Sequence, residues 1–400
     1  YELPDDVNGV LYYVRAYATN SAGTAYGSQV SFTTSSTTYY LSPTGNDNTG
    51  NGTLANPWFT LNKAWTVAGP GVTIYMKGGT YQYTTKQTLT GKNGTSGNMI
   101  NVWAVDGEYP VITHASSWSP TYPYAGVQFT GNYVHFKGIK ITGFTQQTEH
   151  VWTAFNGHDI NNCIFERMEF CYSGLGSYID GACSGNLFLN CDWYENYDPL
   201  TIGDAYGNAD GCNFENVSAG GTNTFRGCRF WNNSDDGLDL YNNESYVIIE
   251  NCWSWGQGFR EDRVTKGGNG DGFKLGPTVN TGTLRKVVNC LSFNNNQWGY
   301  NYNDAFCNMQ LYHCNSYNNG RSNSDWSGGY WFMRTGVAYD IKNCISYNDK
   351  PSIGYFSVTT NVTYNSWQVA TVADNDFITL STTGVNSARL SDGSLPVLNF

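Results

Sequence analysis

The spacing of apolar residues along the chain predicts many short strands and a single short helix. Residues 59–68 are the one segment whose apolar residues recur at the spacing of a helix face. These apolar residues are Phe59, Leu61, Ala64, Trp65 and Ala68. The next segment, Val72–Lys77, predicts a strand. A lone amphipathic helix ahead of many strands indicates a cap over the open end of a sheet.

The first 36 residues predict a separate unit made of strands. Two strands, roughly Val10–Thr19 and Tyr26–Thr34, are joined by the turn NSAGTAYG. This stretch resembles the last two strands of a fibronectin type III domain, a β-sandwich whose earlier strands are expected upstream of Tyr1. The run SSTT then predicts a short linker. Residues 1–36 and 37–400 are therefore predicted to be two domains.

Beyond residue 150 the sequence repeats, and the repeat predicts a β-solenoid. Segments such as LNCDWYEN, RGCRFWNN and KNCISYND place a cysteine at one equivalent position, at intervals of 37, 24, 38, 24 and 30 residues. The six cysteines are Cys191, Cys228, Cys252, Cys290, Cys314 and Cys344. Short repeated strands with insertions of variable length are typical of parallel β-helices, whose coils stack about 4.8 Å apart. The predicted fold class is therefore all-β.

The repeat also explains the cysteines and predicts a ladder of polar side chains. An odd total of 11 cysteines with no CxxC pair argues against a zinc cluster or a disulfide framework, and cysteine suits an inward-facing column. Five residues after each repeated cysteine comes a side chain that can hydrogen-bond along the stack. These residues are Asn196, Asn233, Gln257, Asn295, Asn319 and Asp349.

Composition and charge agree with this class and exclude two kinds of partner. The chain has 46 Gly, 30 Tyr and 13 Trp, which favour strands and turns over helices. A net charge of -11 with 21 Lys and Arg argues against nucleic acid, which requires a concentrated basic surface. No apolar segment approaches the roughly 18 to 20 residues that span a bilayer, so no membrane insertion is expected. The protein is expected to be a monomer.

Three coils carry a second column, which is acidic. The segments NADGCNFE, SDDGLDLY and GDGFKLGP align at their glycines and stack Asp210, Asp236 and Asp271. Two residues after each glycine, on one face because side chains alternate along a strand, come Asn213, Asp239 and Lys274. The segment QWGYNYN continues this column with Asn301.

The acidic column predicts a cation site. Asp235, Asp236 and Asp239 lie within five residues, and Asp210 lies one coil away. Carboxylates this close repel one another unless a cation lies among them, and oxygen donors without His or Cys suit Ca²⁺ before Mg²⁺. The alternative is that these residues only close turns by accepting hydrogen bonds from backbone amides. For Asp271 alone the turn interpretation is preferred.

Lys274 decides what such a cation would be for. A bound cation lowers the pKa of a neighbouring lysine, whereas Asp239 beneath it raises that pKa. If the cation dominates, a neutral Lys274 can act as a general base at mildly alkaline pH. The alternative is a solvated lysine that only pairs with Asp239.

These motifs, in this order, resemble a known enzyme family. The run from YYLSPTGNDNTGNG through NADG and NSDDGLDLY to GNGDGFKLG resembles polysaccharide lyase family 9, the pectin-degrading right-handed parallel β-helices. The resemblance covers about residues 38–400. It implies one catalytic Ca²⁺ held by Asp210, Asp235, Asp236 and Asp239, with Lys274 as the Brønsted base. A secreted, periplasmic or cell-surface location is expected.

The resemblance implies β-elimination on an acidic pectic polysaccharide. The base removes the C5 proton of a galacturonate, and the C4–O bond breaks to leave a 4,5-unsaturated sugar. Few basic residues with 16% aromatics favour rhamnogalacturonan I, where galacturonate alternates with rhamnose, over homogalacturonan. Arg260, Arg263 and Lys266 are candidates for binding a second carboxylate, or they form a solvated charged loop.

Two other functions stay open from the sequence. A β-helical glycoside hydrolase that cuts polygalacturonate would use Asp210, Asp235 and Asp236 without a metal. The Gly-His-Gly and Arg-x-Lys elements expected with it are absent from the sequence. A non-catalytic β-solenoid would instead bind glycans through surface Trp and Tyr. Sensitivity to chelators and the Lys274→Ala variant separate these functions from a lyase.

Overall fold

Three long parallel sheets wind the main part of the chain into a right-handed β-helix. The structure is a computed structural model that describes residues 11–33, 37–276, 283–321, 326–350, 352–356, 361–369 and 372–398. Each of ten coils contributes one strand to each sheet, in the order sheet 1, sheet 2, sheet 3, and the first and last strands of the stack belong to sheet 1 alone. Every pairing between neighbouring strands in these three sheets is parallel. The predicted fold class is confirmed.

The three sheets run almost the whole length of the stack. Sheet 1 has 12 strands: Thr38–Leu41, Thr73–Met76, Ile100–Ala104, Val134–Lys137, Ile164–Glu166, Leu187–Leu189, Thr222–Arg226, Tyr246–Glu250, Leu284–Val288, Asn308–Tyr312, Tyr339–Lys342 and Asn361–Thr363. Sheet 2 has 10 strands: Gly79–Tyr83, Pro110–His114, Lys140–Thr142, Glu169–Cys171, Asp192–Tyr194, Arg229–Trp231, Trp253–Trp255, Leu291–Phe293, Asn315–Tyr317 and Ile345–Tyr347. Sheet 3 has 10 strands: Gln87–Leu89, Ala125–Phe129, Thr153–His158, Leu175–Gly181, Cys212–Val217, Leu238–Asp239, Phe273–Lys274, Trp298–Asn301, Gly328–Phe332 and Ser352–Phe356.

The N-terminal residues form an antiparallel hairpin rather than a part of the stack. Leu11–Val14 pairs with Val30–Thr33, and Tyr17–Asn20 pairs with Gly23–Tyr26. The second half therefore starts at Gly23, three residues before the predicted strand, because the chain reverses at residues 21–22. Residues 1–10 and 34–36, which include part of the predicted linker, lie outside the described residues. The fibronectin-like assignment of residues 1–36 stays a prediction.

A helix caps the first coil, and it is shorter than the apolar pattern predicts. It spans Leu61–Trp65, and the Thr60 hydroxyl accepts a hydrogen bond from the Lys63 N–H at its N-terminus. Leu61, Ala64 and Trp65 are buried, and the Trp65 ring packs edge-on against Phe129. Further helical segments are Ser366–Val369 and the 3₁₀ turn Asp374–Asp376. In the described part of the chain, none of the helices has the length and apolar character needed to cross a bilayer.

Identical positions on successive coils stack into ladders inside the solenoid. On the sheet 1 side, the rings of Phe136, Phe165, Phe188 and Phe225 stack face to face at centroid distances of 5.4, 4.9 and 4.4 Å. The six repeated cysteines are buried free thiols at the turn between sheets 1 and 2. Stacked rings and thiols fill the interior at close-packed density, which ties each coil to the next.

The predicted ladder of polar side chains is present at the turn between sheets 2 and 3. Nδ2 of Asn196 donates to Oδ1 of Asn233 at 2.8 Å, and Nδ2 of Asn233 donates to Oε1 of Gln257 at 3.1 Å. The ladder continues as Asn295 donates to Asn319 at 2.9 Å and Asn319 donates to Asp349 at 3.1 Å. Each side-chain oxygen also accepts a backbone N–H from the previous coil, as Oδ1 of Asn295 does from Gln257.

Replacing Asn295 with alanine should destabilise the protein by about 2 kcal/mol, because the buried Gln257 N–H then loses its acceptor. A lower midpoint of urea denaturation, followed by circular dichroism, measures this effect. Asn315→Ala is the matched control, since the Asn315 side chain is half-buried and outside the ladder. Equal midpoints for the two variants would contradict a stabilising role for the ladder.

The C-terminal segment covers the outer face of sheet 2. There the rings of Tyr194, Trp231, Trp255 and Phe293 stack on successive coils, and Val385 and Leu398 pack against them. Arg389 donates to Asp192 and to the backbone carbonyls of Cys191 and Gly227. Arg229 forms a second, buried ion pair with Asp192, with an N–O distance of 2.7 Å. The middle coils of this face are therefore covered.

Candidate active site

The strands of sheet 3 bring the predicted site residues into one register. Asn213 pairs with Asp239, Asp239 with Lys274, and Lys274 with Asn301. The alignment at the glycines therefore gave the correct register. Because neighbouring strands lie about 4.8 Å apart, Asp239 and Lys274 are adjacent on the same face.

The aligned glycines are required where these coils approach each other most closely. A Cβ atom at Gly237 would lie 2.5 Å from the carbonyl oxygen of Gly272, and one at Gly272 would lie 2.8 Å from that of Gly299. Either contact is too short for a real Cβ. The backbone next to the acidic residues is therefore in close contact with the backbone of the next coil, and this contact fixes the positions of the carboxylates.

Asp210, Asp236 and Asp239 form a buried acidic cluster. One oxygen from each lies within 4.8 Å of the others, and all three residues are at most 4% exposed. Backbone N–H groups orient them: Asp236 N–H donates to Asp210 at 2.7 Å, and Tyr241 N–H donates to Asp239 at 2.8 Å. Asp271 N–H donates to Oδ1 of Asp236 at 2.6 Å, which leaves the other Asp236 oxygen facing the cluster.

Lys274 is the cation that the chain itself places at this cluster. Its Nζ lies 2.8 Å from Oδ2 of Asp239 and 2.9 Å from Oδ2 of Asp236. Burial alone would lower the pKa of Lys274, but the charges of Asp236 and Asp239, with smaller contributions from Asp235 and Asp210, outweigh burial and raise the pKa well above its ordinary value. Without another cation at the site, Lys274 is therefore protonated.

Asp235, the fourth predicted ligand, is not one of the three carboxylates that converge, although its charge acts on theirs. It is 4% exposed, and its Oδ1 accepts the backbone N–H of Asn269 at 2.6 Å. Asp271, the third aspartate of the column, accepts a hydrogen bond from the backbone N–H of Trp298 at 2.9 Å and another from the side-chain amide of Asn301 at 2.5 Å. These contacts fit the turn interpretation preferred for Asp271.

The donor set and its charge suit a hard cation. Burial, with the charge of neighbouring carboxylates, raises the pKa values of Asp210 and Asp235 well above the ordinary range, and burial likewise raises that of Asp239. Among the described residues, Oδ2 of Asp236 and Oδ1 of Asn213 are buried oxygens without a hydrogen-bond partner of good geometry. Four carboxylates face one ammonium group, so an oxygen-seeking divalent cation would relieve both the charge and the missing contacts.

Two long insertions between sheets 2 and 3 form a wall beside the cluster. We call them the wall segments; they cover residues 195–211 and 256–272. The Arg260 guanidinium lies 4.6 Å from the centroid of the Tyr206 ring, which joins the two segments. The N–H of Asn269, in the second segment, holds Asp235.

The three basic residues predicted as substrate contacts all lie on the second wall segment. Arg263 pairs with Glu195 at 2.5 Å, so its charge is engaged within the wall. Arg260 donates to the backbone carbonyl of Lys266 at 3.2 Å and lies over Tyr206. The Arg263 pairing is not predictable from the sequence because Glu195 is 68 residues away and Arg263 lies in an insertion outside the repeat.

A groove lies along sheet 3 on the coils that precede the cluster. It has a volume of about 540 Å³ and includes Gln128, Asn156 and Tyr178, which pair in register with one another and then with Asn213. Burial raises the pKa of Glu215, on the same strand as Asn213, to about 7, and the charge of Asp239 adds to the effect. Gln128, Asn156, Tyr178 and Glu215 were not singled out from the sequence, although the register that aligns Asp239 with Lys274 extends to this part of the sheet.

Comparisons with known proteins agree with this architecture. Residues 39–335 match the family model described as Pel9A-like, right handed beta helix region. Pectate lyase L of Dickeya chrysanthemi is 31% identical over 370 residues, covering 90% of this chain and 81% of that protein. Pectate lyase PEL9 of Emericella nidulans is 31% identical over 301 residues, covering 68% of this chain and 71% of that protein.

Two solved structures are similar over most of the chain. One, titled "Rhamnogalacturonan lyase", superposes with a TM-score of 0.77 at 25% identity, covering 91% of this chain and 96% of that one. The other, titled "Crystal structure of pectate lyase Pel9A", gives a TM-score of 0.71 at 27% identity, covering 90% of this chain and 88% of that one.

Proposed function

Because the chain belongs to the Pel9A-like right-handed β-helix family and is a polysaccharide lyase, we propose that it cleaves the galacturonate-containing backbone of pectin by calcium-dependent β-elimination. Within pectin, rhamnogalacturonan I is the proposed preferred substrate and homogalacturonan the alternative. The named relatives are lyases, which gives no support to a hydrolase or to a non-catalytic scaffold. Polymeric pectin is met outside the cytoplasm, so the proposed location is secreted, periplasmic or cell-surface.

The observation that carries this proposal is the position of Lys274 against the acidic cluster. Asp210, Asp235, Asp236 and Asp239 would hold calcium through carboxylate oxygens, which are the ligands that this ion prefers. When bound, calcium supplies positive charge that acidifies the C5 proton of a galacturonate and lowers the affinity of the adjacent Lys274 for its own proton.

Lys274 then carries out the proton transfer. The neutral amine at Nζ accepts the C5 proton, the electron pair left on C5 forms the C4–C5 double bond, and the C4–O bond breaks. The departing oxygen takes a proton from solvent and Lys274 releases the C5 proton to solvent, so the cycle closes and the reaction consumes no water overall. Asp239 and Asp236, at 2.8 and 2.9 Å, hold Nζ in place and stabilise the ammonium that forms.

Neutral side chains along sheet 3 support the preference for rhamnogalacturonan. Apart from Asp239, which is a proposed calcium ligand, the nearest residues in the column of Lys274 are polar but uncharged: Gln128, Asn156, Tyr178, Asn213 and Asn301. Homogalacturonan would place a carboxylate at every subsite along this column, and each would need a cation or a set of donors. In rhamnogalacturonan I every second unit is neutral, which suits such a column better.

Arg260, Arg263 and Lys266 remain proposed contacts for a second substrate carboxylate. They lie on the wall segment that leads into the strand of Lys274. For Arg263 this role requires an exchange, since a substrate carboxylate would have to replace Glu195 as the partner of the guanidinium.

Incubation with rhamnogalacturonan I and with polygalacturonate tests the proposed reaction. We expect 4,5-unsaturated products, detected by their ultraviolet absorbance and by mass, and a loss of at least about 100-fold in rate after chelation, reversed by added Ca²⁺. Saturated products carrying the mass of one added water would show hydrolysis instead. Full activity after exhaustive chelation would rule out the calcium-dependent mechanism.

A further inference from the structure

Aromatic rings replace the charged residues on the coils that follow Lys274. In the column of Lys274, the next positions are Asn301, then Trp331, then Tyr355. The column of Asp210, Asp236 and Asp271 continues with Trp298, whose backbone N–H donates to Oδ1 of Asp271 at 2.9 Å. Both columns that build the acidic cluster therefore end in aromatic side chains on the same face of sheet 3.

These rings form one connected surface. The Trp331 ring stacks on the fully buried Trp298 ring at 5.5 Å with an interplanar angle of 23°. Trp326 lies 6.4 Å from Trp331 and 6.0 Å from Tyr355. We call Trp298, Trp326, Trp331 and Tyr355 the aromatic platform. Trp326 is 63% exposed although it is large and apolar, so the platform presents an indole to solvent.

The platform offers no charge to a carboxylate. Within the described residues, the column beyond Lys274 holds no cation. Two arginines of the neighbouring segments are engaged elsewhere, with Arg321 4.8 Å from the centroid of the Phe259 ring and Arg334 over the ring of Phe306. A galacturonate seated here would lose water from its carboxylate without gaining an ion pair.

We propose that the aromatic platform is a subsite for a neutral deoxyhexose, which lies next to the galacturonate that is cleaved. The proposal rests on the proposed lyase function and adds to it the residues that select the alternating backbone. A rhamnose unit carries a methyl group where galacturonate carries a carboxylate, so it offers C–H groups that pack against the Trp326 and Trp331 rings. Trp331 lies two coils from Lys274, or about 10 Å, which places the platform close to the reacting sugar.

Trp326→Ala is the variant that tests the platform, because an exposed ring can be removed without opening the core. On oligosaccharides of the rhamnogalacturonan I backbone we expect kcat/KM to fall about tenfold, mainly through a higher KM, which corresponds to about 1.4 kcal/mol. On oligogalacturonates we expect a change of less than about twofold. Trp331→Phe keeps a ring in the column and should retain most of the activity on the alternating substrate. Tyr364→Ala, which removes a ring 73% exposed next to a strand of sheet 1, is the matched control.

Binding measured without turnover separates failure of the subsite from failure of the reaction. In a Lys274→Ala background, calorimetric titration with the alternating oligosaccharide should show about tenfold weaker binding when Trp326 is also replaced. An equal loss for both oligosaccharides, or no loss for the alternating one, would overturn the platform as a deoxyhexose subsite. Absence of unsaturated product from the wild-type protein would overturn the lyase proposal, and the titration would still decide whether the platform binds the neutral sugar.

Discussion

Lys274→Ala should lower kcat by about 10³-fold while leaving the fold and calcium binding intact. A positioned general base contributes about 10²- to 10⁴-fold, and Lys274 is the amine that the structure places 2.8 and 2.9 Å from the acidic cluster. The rate of formation of unsaturated product, measured under saturating Ca²⁺ and substrate, gives the effect. Lys342→Ala is the control, because Lys342 also pairs with an aspartate at 2.9 Å but lies on sheet 1.

Lys274→Arg distinguishes a base from a clamp that only holds two carboxylates apart. Arginine keeps the positive charge and can pair with Asp236 and Asp239, but its pKa is too high for it to accept a proton. If Lys274 is the base, both Lys274→Ala and Lys274→Arg should be inactive. If Lys274 only holds the two carboxylates apart, Lys274→Arg should be active. Activity of Lys274→Arg above about a tenth of wild type would contradict the proposed base.

Asp236→Asn should weaken calcium binding by about 100-fold or more, and activity at moderate Ca²⁺ should fall with it. The amide oxygen of the introduced side chain can still accept the Asp271 N–H, so the turn is kept. The change replaces the other oxygen, which faces Lys274 and has no hydrogen-bond partner of good geometry within the described residues, by an NH₂ group. Calorimetric titration of the metal-free protein with Ca²⁺ measures the loss.

Asp349→Asn is the matched control for this titration. Asp349 is a half-buried aspartate at the end of the polar ladder, where an asparagine fits the pattern of the other coils, so its replacement should leave calcium affinity unchanged. If Asp236→Asn and Asp349→Asn bound calcium equally well, Asp236 would not be a ligand.

The same titration has an expected pH dependence. The pKa values of Asp210, Asp235 and Asp239 are raised in the metal-free protein, first by burial, so these groups hold protons above the ordinary carboxyl range. Calcium must displace these protons in order to bind. Affinity should therefore be higher at pH 8 than at pH 5, with proton release on binding largest at the lower pH.

The repeat made the coil register and the polar ladder predictable from the sequence. Local spacing alone aligned Asp239 with Lys274 and Asn196 with Asn233, because each coil resets the same turn and the same strand positions. The capping helix was predicted in the right place but too long, since its last apolar residue, Ala68, is buried just beyond the helix end.

Contacts made by segments outside the repeat were not predictable. Arg389 reaches Asp192 across nearly 200 residues, and no periodic signal links the two positions. The pairing of Arg263 with Glu195 depends on how the insertion that carries Arg263 folds against the rest of the solenoid. The glycine alignment places Trp298 after Asp271 in the acidic column, but Trp326, the exposed ring of the aromatic platform, lies outside the aligned positions. These features need the three-dimensional arrangement because they arise where the repeat is interrupted.

The two wall segments show how such a scaffold can change its specificity. The ladders and stacked rings fix each coil through positions in the strands and tight turns, whereas the connection between sheets 2 and 3 varies from 3 residues, between Cys171 and Leu175, to 17 residues, between Trp255 and Phe273. A longer or shorter wall therefore leaves the stacking of the coils untouched. Loop grafting and natural insertion at residues 199–208 and 259–268, the parts of the wall segments outside the polar ladder and the acidic column, can thus be treated as exchange of modules, with the calcium ligands, the ladder and Lys274 kept on the invariant frame. In a directed-evolution library, diversity confined to these two stretches should give a higher fraction of folded variants than the same diversity placed in the polar ladder.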